Sequence, residues 1–250
     1  MNDRLDVIIL RVTDYKENDA LISTISADHG MMSFIAKGLL KPESKNAAAC
    51  QPFSESALTF DYQEGRGLQV LHSANLLASH RPLREDLTKQ TVMAVIAELC
   101  QHVLEDNYDR HLSAEVYDTL KTSMESLEAM DKALHILAYF MVRSLEWLGI
   151  EPQVDECTVC GDTKINSISM DEGGFVCQDC QKELQSPIFT AEFLYAFRVV
   201  NKVNATNFKR YLAYQAPAME LLDYLYDFMV FHGNLSLKSW AFLKKWSIIN

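Results

Sequence analysis

Four cysteines carry the clearest chemistry in the chain. Cys157-Thr158-Val159-Cys160 and Cys177-Gln178-Asp179-Cys180 are two CxxC pairs, with residues 161–176 between them. A CxxC turn presents two thiolates to one ion. Two such turns complete a tetrahedral shell with zinc–sulfur bonds of about 2.3 Å. The interval falls within the roughly 15–20 residues that mark a zinc ribbon. Gly161 follows the first pair and Gly173-Gly174 precedes the second. Glycine there allows tight turns whose N–H groups point at sulfur. The spacing assigns Cys157, Cys160, Cys177 and Cys180 to one Zn2+, and four thiolates leave no open position, so the ion would be structural. Two redox pairs are the rival reading. Neither CxxC is expected at the start of a helix after a strand, as a thioredoxin-type site requires.

The remaining candidates are weaker. Cys50 and Cys100 stand alone and read as buried apolar cysteines. The seven histidines do not cluster at metal-ligand spacing. No GxxxxGK[ST], GxGxxG, GxSxG or HExxH is present. No catalytic residue is assigned, and the chain reads as a non-enzyme.

With 250 residues, 48% hydrophobic and 23% charged, the chain suits a globular protein of about one to three domains. Its net charge of −11 excludes a uniformly basic nucleic-acid binder but not a local basic face. Charge is uneven: residues 151–190 carry −6 and residues 191–250 carry +3. Two basic clusters emerge, Lys37, Lys41 and Lys45, and Arg198, Lys202, Lys209 and Arg210. The first residues do not form a signal peptide, since Asp6 interrupts a short apolar run. No run reaches the ~18 apolar residues that span a membrane. A cytoplasmic location with reduced thiols is expected.

Residues 1–75 predict five short strands. Leu5 to Val12, Leu21 to Ile25, Met31 to Ala36, Ser54 to Tyr62 and Leu68 to His72 are apolar or alternating. Turn signals fall at Asp28-His29-Gly30 and Glu64-Gly65-Arg66-Gly67. Five strands suit an OB-fold barrel, with an SH3-like barrel as rival. Residues 38–46 are expected to form an exposed, mobile loop. From about Leu76 the period becomes helical, with stripes at Val92, Val95, Ile96, Leu99 and Val103, at Val116, Leu120, Met124 and Leu127, and from Leu134 to Leu148. Thr190 suits a helix start, and Met219 to Val230 make a further stripe ended by Gly233. The fold class is therefore α+β. An OB-fold domain over 1–78 precedes a helical domain over 79–150 and 188–250, and a zinc-binding module over 151–187 is inserted in that helical domain.

This order of parts resembles the RecO family of bacterial DNA repair proteins. The local words agree. Ala27 to Gly38 (ADHGMMSFIAKG), Ser44-Lys45 with Cys50-Gln51-Pro52-Phe53, and Gly65-Arg66-Gly67-Leu68 look like the family's barrel motifs. Leu148 to Pro152, Cys157 to Gly161 and Gly173 to Cys177 look like its ribbon, and His232 with Leu237-Lys238-Ser239 like its ending. The resemblance covers nearly the whole chain. It implies a recombination mediator that binds single- and double-stranded DNA and anneals complementary strands. It implies binding to the acidic C-terminal tail of single-stranded DNA-binding protein and, with RecR, loading of RecA. It implies a cytoplasmic protein at the nucleoid during repair, with one Zn2+ and no catalysis.

An OB barrel binds single strands through a basic groove and stacking aromatics. The DNA-binding candidates are Arg11, Lys37, Lys41, Lys45 and Arg66, extended by Arg81 and Arg84. Phe34, Phe53 and Tyr62 are either stacking partners or core. Arg198, Lys202, Lys209 and Arg210 are interleaved with Phe197, Val199, Val200, Phe208 and Tyr211. That suits a partner-binding pocket for the acidic tail, or an amphipathic helix packed on the barrel. The alternative reading is a protein-interaction scaffold with a structural zinc and little intrinsic DNA affinity.

Overall fold

The computed structural model describes residues 3–105 and 109–249, with side chains described to Lys245 in the last helix. Contacts divide the chain into two compact units, Met1–Asp131 and Lys132–Asn250. The limits expected from sequence follow element type. Compactness instead joins the first helices to the barrel.

In the first unit, β1 (Asp3–Tyr15), β2 (Asp19–Ser26), β3 (Gly30–Ala36), β4 (Glu55–Phe60) and β5 (Leu68–Ala78) close into a barrel in the order β1-β2-β3-β5-β4. β1 pairs antiparallel with both β2 and β4, and β3 meets β5 in parallel. This is the connectivity of an OB fold, a five-stranded Greek-key barrel. Val7, Ile9, Ile22, Phe34, Leu58 and Phe60 fill the interior. Phe34 and Phe60 meet edge to face at 5.0 Å. Phe34 and Phe53 are therefore core, not stacking surface.

Two expectations are corrected here. Helical structure does not begin at Leu76: β5 continues, pairing Leu76 with Ser56 and Ala78 with Glu55. The adjacent Leu76 and Leu77 hide the alternation because both are exposed. The segment after β3 is also more than an exposed loop. Leu39, Ala49 and Cys50 enter the barrel core. Successive backbone bonds (Ser44 N to Lys41 O at 3.0 Å, Cys50 N to Asn46 O at 3.0 Å) wind it into turns. The Asn46 side chain accepts from Ala74 N, and Phe53 N and Ile9 N exchange bonds with Ile9 O and Ser54 O. Burial pushes the Cys50 thiol up to about 12, so it is inert.

α1 (Pro82–Glu85), α2 (Leu87–Leu104) and α3 (Arg110–Ala129) follow. Asp86 and Asp109 cap α2 and α3 by accepting backbone N–H bonds. The stripe residues of both helices are buried, as the period requires. α3 lies on β2 and β3. It comes so close that a Cβ on Gly30 would stand 2.7 Å from the Ser113 hydroxyl, and Gly30 has φ +58°. A buried polar network links the same layers. His80 Nε2 lies 3.0 Å from Glu55, its Nδ1 lies 2.8 Å from Glu128, and Lys121 donates to Glu55 at 2.7 Å.

The second unit begins with α4 (Ala133–Trp147), whose helix ends before Gly149 at φ +67°. A hairpin of β6 (Ile165–Ser169) and β7 (Gly174–Cys177) leads into α5 (Gln178–Leu184). α6 (Ala191–Asn201), α7 (Phe208–Tyr211), α8 (Met219–Gly233) and α9 (Lys238–Ile249) complete it. Thr190 caps α6 by accepting from Phe193 N. The left-handed cap of α8 is Asn234, φ +50°, not Gly233. α4 packs against α6 and α8, and Tyr139 stacks on Phe208 at 4.3 Å. No described helix is long and apolar enough to cross a membrane.

The network around Glu55 gives the first unit a defined pH response. Burial opposes ionisation of Glu55, but Lys121 and His80 outweigh it and hold its pKa below the ordinary value of 4.5. Its contribution to stability is therefore present above about pH 4.5 and is lost as pH falls through the depressed value. Lys121 is raised by its bond to Glu55, so its share is lost only as pH rises above 10.5. In urea titrations, Glu55→Gln should lower stability at pH 7 by about 1–3 kcal/mol. It should also flatten the acid limb of the wild-type profile; an unchanged limb would place the acid sensitivity elsewhere.

Candidate metal centre and nucleic-acid surface

The ribbon is built around one close approach of backbones. Gln153 N donates to Gly173 O at 3.0 Å, and Phe175 N donates to Gln153 O at 2.8 Å. A Cβ on Gly174 would stand 2.3 Å from Gln153 O. Gly161, φ +76°, carries the first knuckle through left-handed backbone, and Gly173, φ +70°, turns the β6–β7 hairpin that delivers Cys177 to the start of α5. Cys157 N donates to Asp162 O and Gly161 N to Cys157 O, which closes the first knuckle.

These turns bring the Sγ atoms of Cys157, Cys160, Cys177 and Cys180 within 4.8 Å of one another. Cys160 Sγ and Cys177 Sγ are 3.6 Å apart. A tetrahedral shell with zinc–sulfur bonds of about 2.3 Å has sulfur–sulfur edges of about 3.8 Å, so the cluster has the size of such a shell. Its electrostatics point the same way. Burial would raise the Cys157 thiol, but backbone N–H groups of Cys177, Cys160 and Val159 outweigh it and bring the value down to about 6. Cys180 moves up, through its bond to Cys177 and then through burial. Cys160 moves up despite the Asp162 backbone N–H, because the Cys177 and Cys157 sulfurs crowd it. Four sulfurs this close cannot all be anionic without a cation between them.

One argument from sequence fails here. Cys177 does precede a helix and follow a strand, since it ends β7 and caps α5. What separates this cluster from a redox pair is the convergence of all four sulfurs.

The barrel register assembles a second candidate site. Arg11, Ser23, Ser33 and Leu68 form one row across β1, β2, β3 and β5. Side chains of one row share a face. Arg11 is exposed and the other three are half-buried, so this row is on the outside. Thr13, Leu21, Ile35 and Val70 form the next outward row. Lys37 and Arg66 continue the outward phase of β3 and β5, and both are exposed. Ser33 and Lys37 are about 13 Å apart along the chain direction. At the Arg66 end a cleft of about 320 Å³ is lined by His29, Met31, Ser33, Tyr62 and Arg66 among others. Tyr62 is 52% exposed, and its ring lies 6.4 Å from that of His29. Arg66 donates to Gln63 at 2.6 Å.

The other basic candidates fare differently. Lys41 and Lys45 are exposed on the turns after β3. Arg81 is exposed and paired with Glu85 at 2.6 Å. Arg84 donates to Pro52 O at 2.8 Å and to Ser79 O, and so ties the α1 turn to the chain before β4. In the second unit Arg198 donates to Val154 O at 2.7 Å and lies over the Phe175 ring. Lys202 pairs with Asp155 at 2.6 Å. Lys209 and Arg210 are exposed, while Phe197, Val200, Phe208 and Tyr211 are buried. His29 also lines the cleft beside Arg66, and in sequence it is marked only as part of the Asp28-His29-Gly30 turn. No local signal could place it beside Tyr62, because the register of β3 and β5 does so.

Comparison with known proteins gives a consistent result. The family model "Recombination protein O N terminal" matches residues 1–80, and "Recombination protein O C terminal" matches residues 84–241. The chain is 28% identical over 207 residues to the DNA repair protein RecO of Exiguobacterium sibiricum, covering 80% of each chain. It is 30% identical to that of Bacillus pumilus, over 69% of this chain and 66% of the relative. It is 31% identical to that of Desulforamulus reducens, over 71% and 68%.

The ribbon geometry predicts a sharp effect of one methyl group. Gly174→Ala cannot be accommodated without breaking the Gln153 bonds. It should cost more than about 2 kcal/mol in stability and speed the reaction of the ribbon thiols with a thiol reagent. Wild-type thiol reactivity in the variant would contradict this.

Proposed function

The chain belongs to the recombination protein O family, and on that premise we propose that it acts as a recombination mediator in DNA repair. The role in DNA repair goes with the family. The finer reading is that it binds single- and double-stranded DNA, anneals complementary strands and, with RecR, loads RecA onto DNA coated by single-stranded DNA-binding protein. It does so in the cytoplasm and without catalysis. The observation that carries this reading is the outward row of the barrel, where Arg11, Lys37 and Arg66 flank half-buried apolar residues and Tyr62 stands beside His29. Cations without a base-reading donor pattern hold phosphates of any sequence, and exposed rings stack on any base. Lys41 and Lys45 extend the track. Arg81 and Arg84 contribute less, since Glu85 and backbone carbonyls hold them.

For the acidic tail of single-stranded DNA-binding protein, Lys209 and Arg210 are the proposed contacts. Arg198 and Lys202 would first have to leave Val154 and Asp155. For the cysteine cluster the proposed ion is Zn2+, held by Cys157, Cys160, Cys177 and Cys180, which supplies folding energy and no chemistry.

Two experiments test this reading. Fluorescence anisotropy of a labelled single strand should show binding whose log affinity falls with log salt at a slope of about −2 to −3.5, for three to five phosphate contacts. Lys37→Glu with Arg66→Glu should abolish it at moderate salt. Absence of binding at low salt would move the weight to a scaffold that touches DNA only through a partner. Metal analysis should find one zinc per chain. Cys157→Ser should lose the zinc and lower the melting temperature of the second unit; an unchanged melt would reject the structural ion.

A further inference from the structure

In the second unit α6, the chain around Tyr211 to Ala218 and the first turn of α8 enclose a groove of about 560 Å³. That lies within the ~300–1,000 Å³ typical of binding sites. Its wall is preformed. Phe189 and Phe193 stack at 4.9 Å, and both meet Tyr224 edge-on at 5.2 and 5.8 Å. Its rim is apolar and open to water, with Ile188 75% and Tyr195 62% exposed. Contiguous apolar surface of this kind marks an interaction site.

The charge of the lining is specific. Glu192 and Glu220 are its charged side chains, and no lysine or arginine lines it. The cations of α6, Arg198 and Lys202, are turned to Val154 and Asp155. Both glutamates lie in first turns of helices, where a carboxylate suits the helix dipole. That accounts for two carboxylates but not for a groove without cations.

We propose that this groove docks an apolar segment of a partner protein that carries positive charge. Aliphatic or aromatic anchors fill the apolar floor, and lysine or arginine beside them meets Glu192 and Glu220. This assignment concerns a surface other than the barrel face and stands independently of strand binding.

Two labelled peptides with the same leucine anchors at i, i+3 and i+4 test it, one flanked by lysines and one by aspartates. Fluorescence polarisation with the full chain should show binding of the lysine peptide only. Glu192→Gln with Glu220→Gln should weaken it roughly tenfold. Strand binding should be untouched in this variant. Equal binding of the two peptides, preference for the aspartate peptide, or binding of neither would overturn the proposal.

Discussion

Everything the first unit presents depends on β1 being shared. It pairs with β2 on one edge and with β4 on the other. The parallel contact of β3 with β5 then closes the barrel. Closure leaves no free edge, so side-chain alternation alone decides what faces inward. Ile22 and Phe34 point in, and the intervening Leu21, Ser23, Ser33 and Ile35 point out. The outward rows are only as regular as that register. The irregularity between Ile9 and Arg11 in β1 sits where Ile9 bonds to Phe53 and Ser54. The connector after β3 therefore docks at the point where β1 changes phase, just before Arg11.

The distribution of charge follows from what each cation must also hold. At a net charge of −11, many basic side chains meet a carboxylate before they meet anything else. Lys121 is committed to Glu55, Arg81 to Glu85 and Lys202 to Asp155. Arg84 and Arg198 go to backbone carbonyls, where the planar guanidinium can join segments more than thirty residues apart. Arg11 faces Ser23 in the register, and Lys37 and Arg66 stand exposed just beyond the end of β3 and before the start of β5, so none of the three is held by a carboxylate neighbour in the sheet. This is why Arg11, Lys37 and Arg66 differ from Arg84, although all four look alike in sequence.

Much of this was legible beforehand. The convergence of the four cysteines was readable because each CxxC fixes the placement of its two sulfurs within a few residues. The stripes of α2 and α3 were readable because their period is local and their faces are buried. The end of β5 was not, because Leu76 and Leu77 break the alternation with two exposed leucines. Nor were the roles of Arg84 and Arg198, whose partners Pro52 and Val154 lie far away in sequence. The Glu55–His80–Glu128 contacts were equally hidden, because both pairings span long separations between a strand, a loop and a helix. Short-range pattern is written in sequence, and long-range partners are written in register.

The acidic surfaces then acquire a use. Residues 151–190 carry −6, and the groove beside α6 is lined by two carboxylates. Such surfaces repel phosphate, which is consistent with placing the proposed strand site on the barrel rows. A uniformly basic protein of this size would hold DNA anywhere and release it slowly. In the proposed mediator role the strand passes to another protein, and a short track of cations set against acidic surroundings suits that step better than a large basic face. Exclusion by like charge thus sharpens a site whose attraction is modest. The cysteine ribbon fits the same scheme, because an ion of the kind proposed would stabilise it from within and leave its surface acidic.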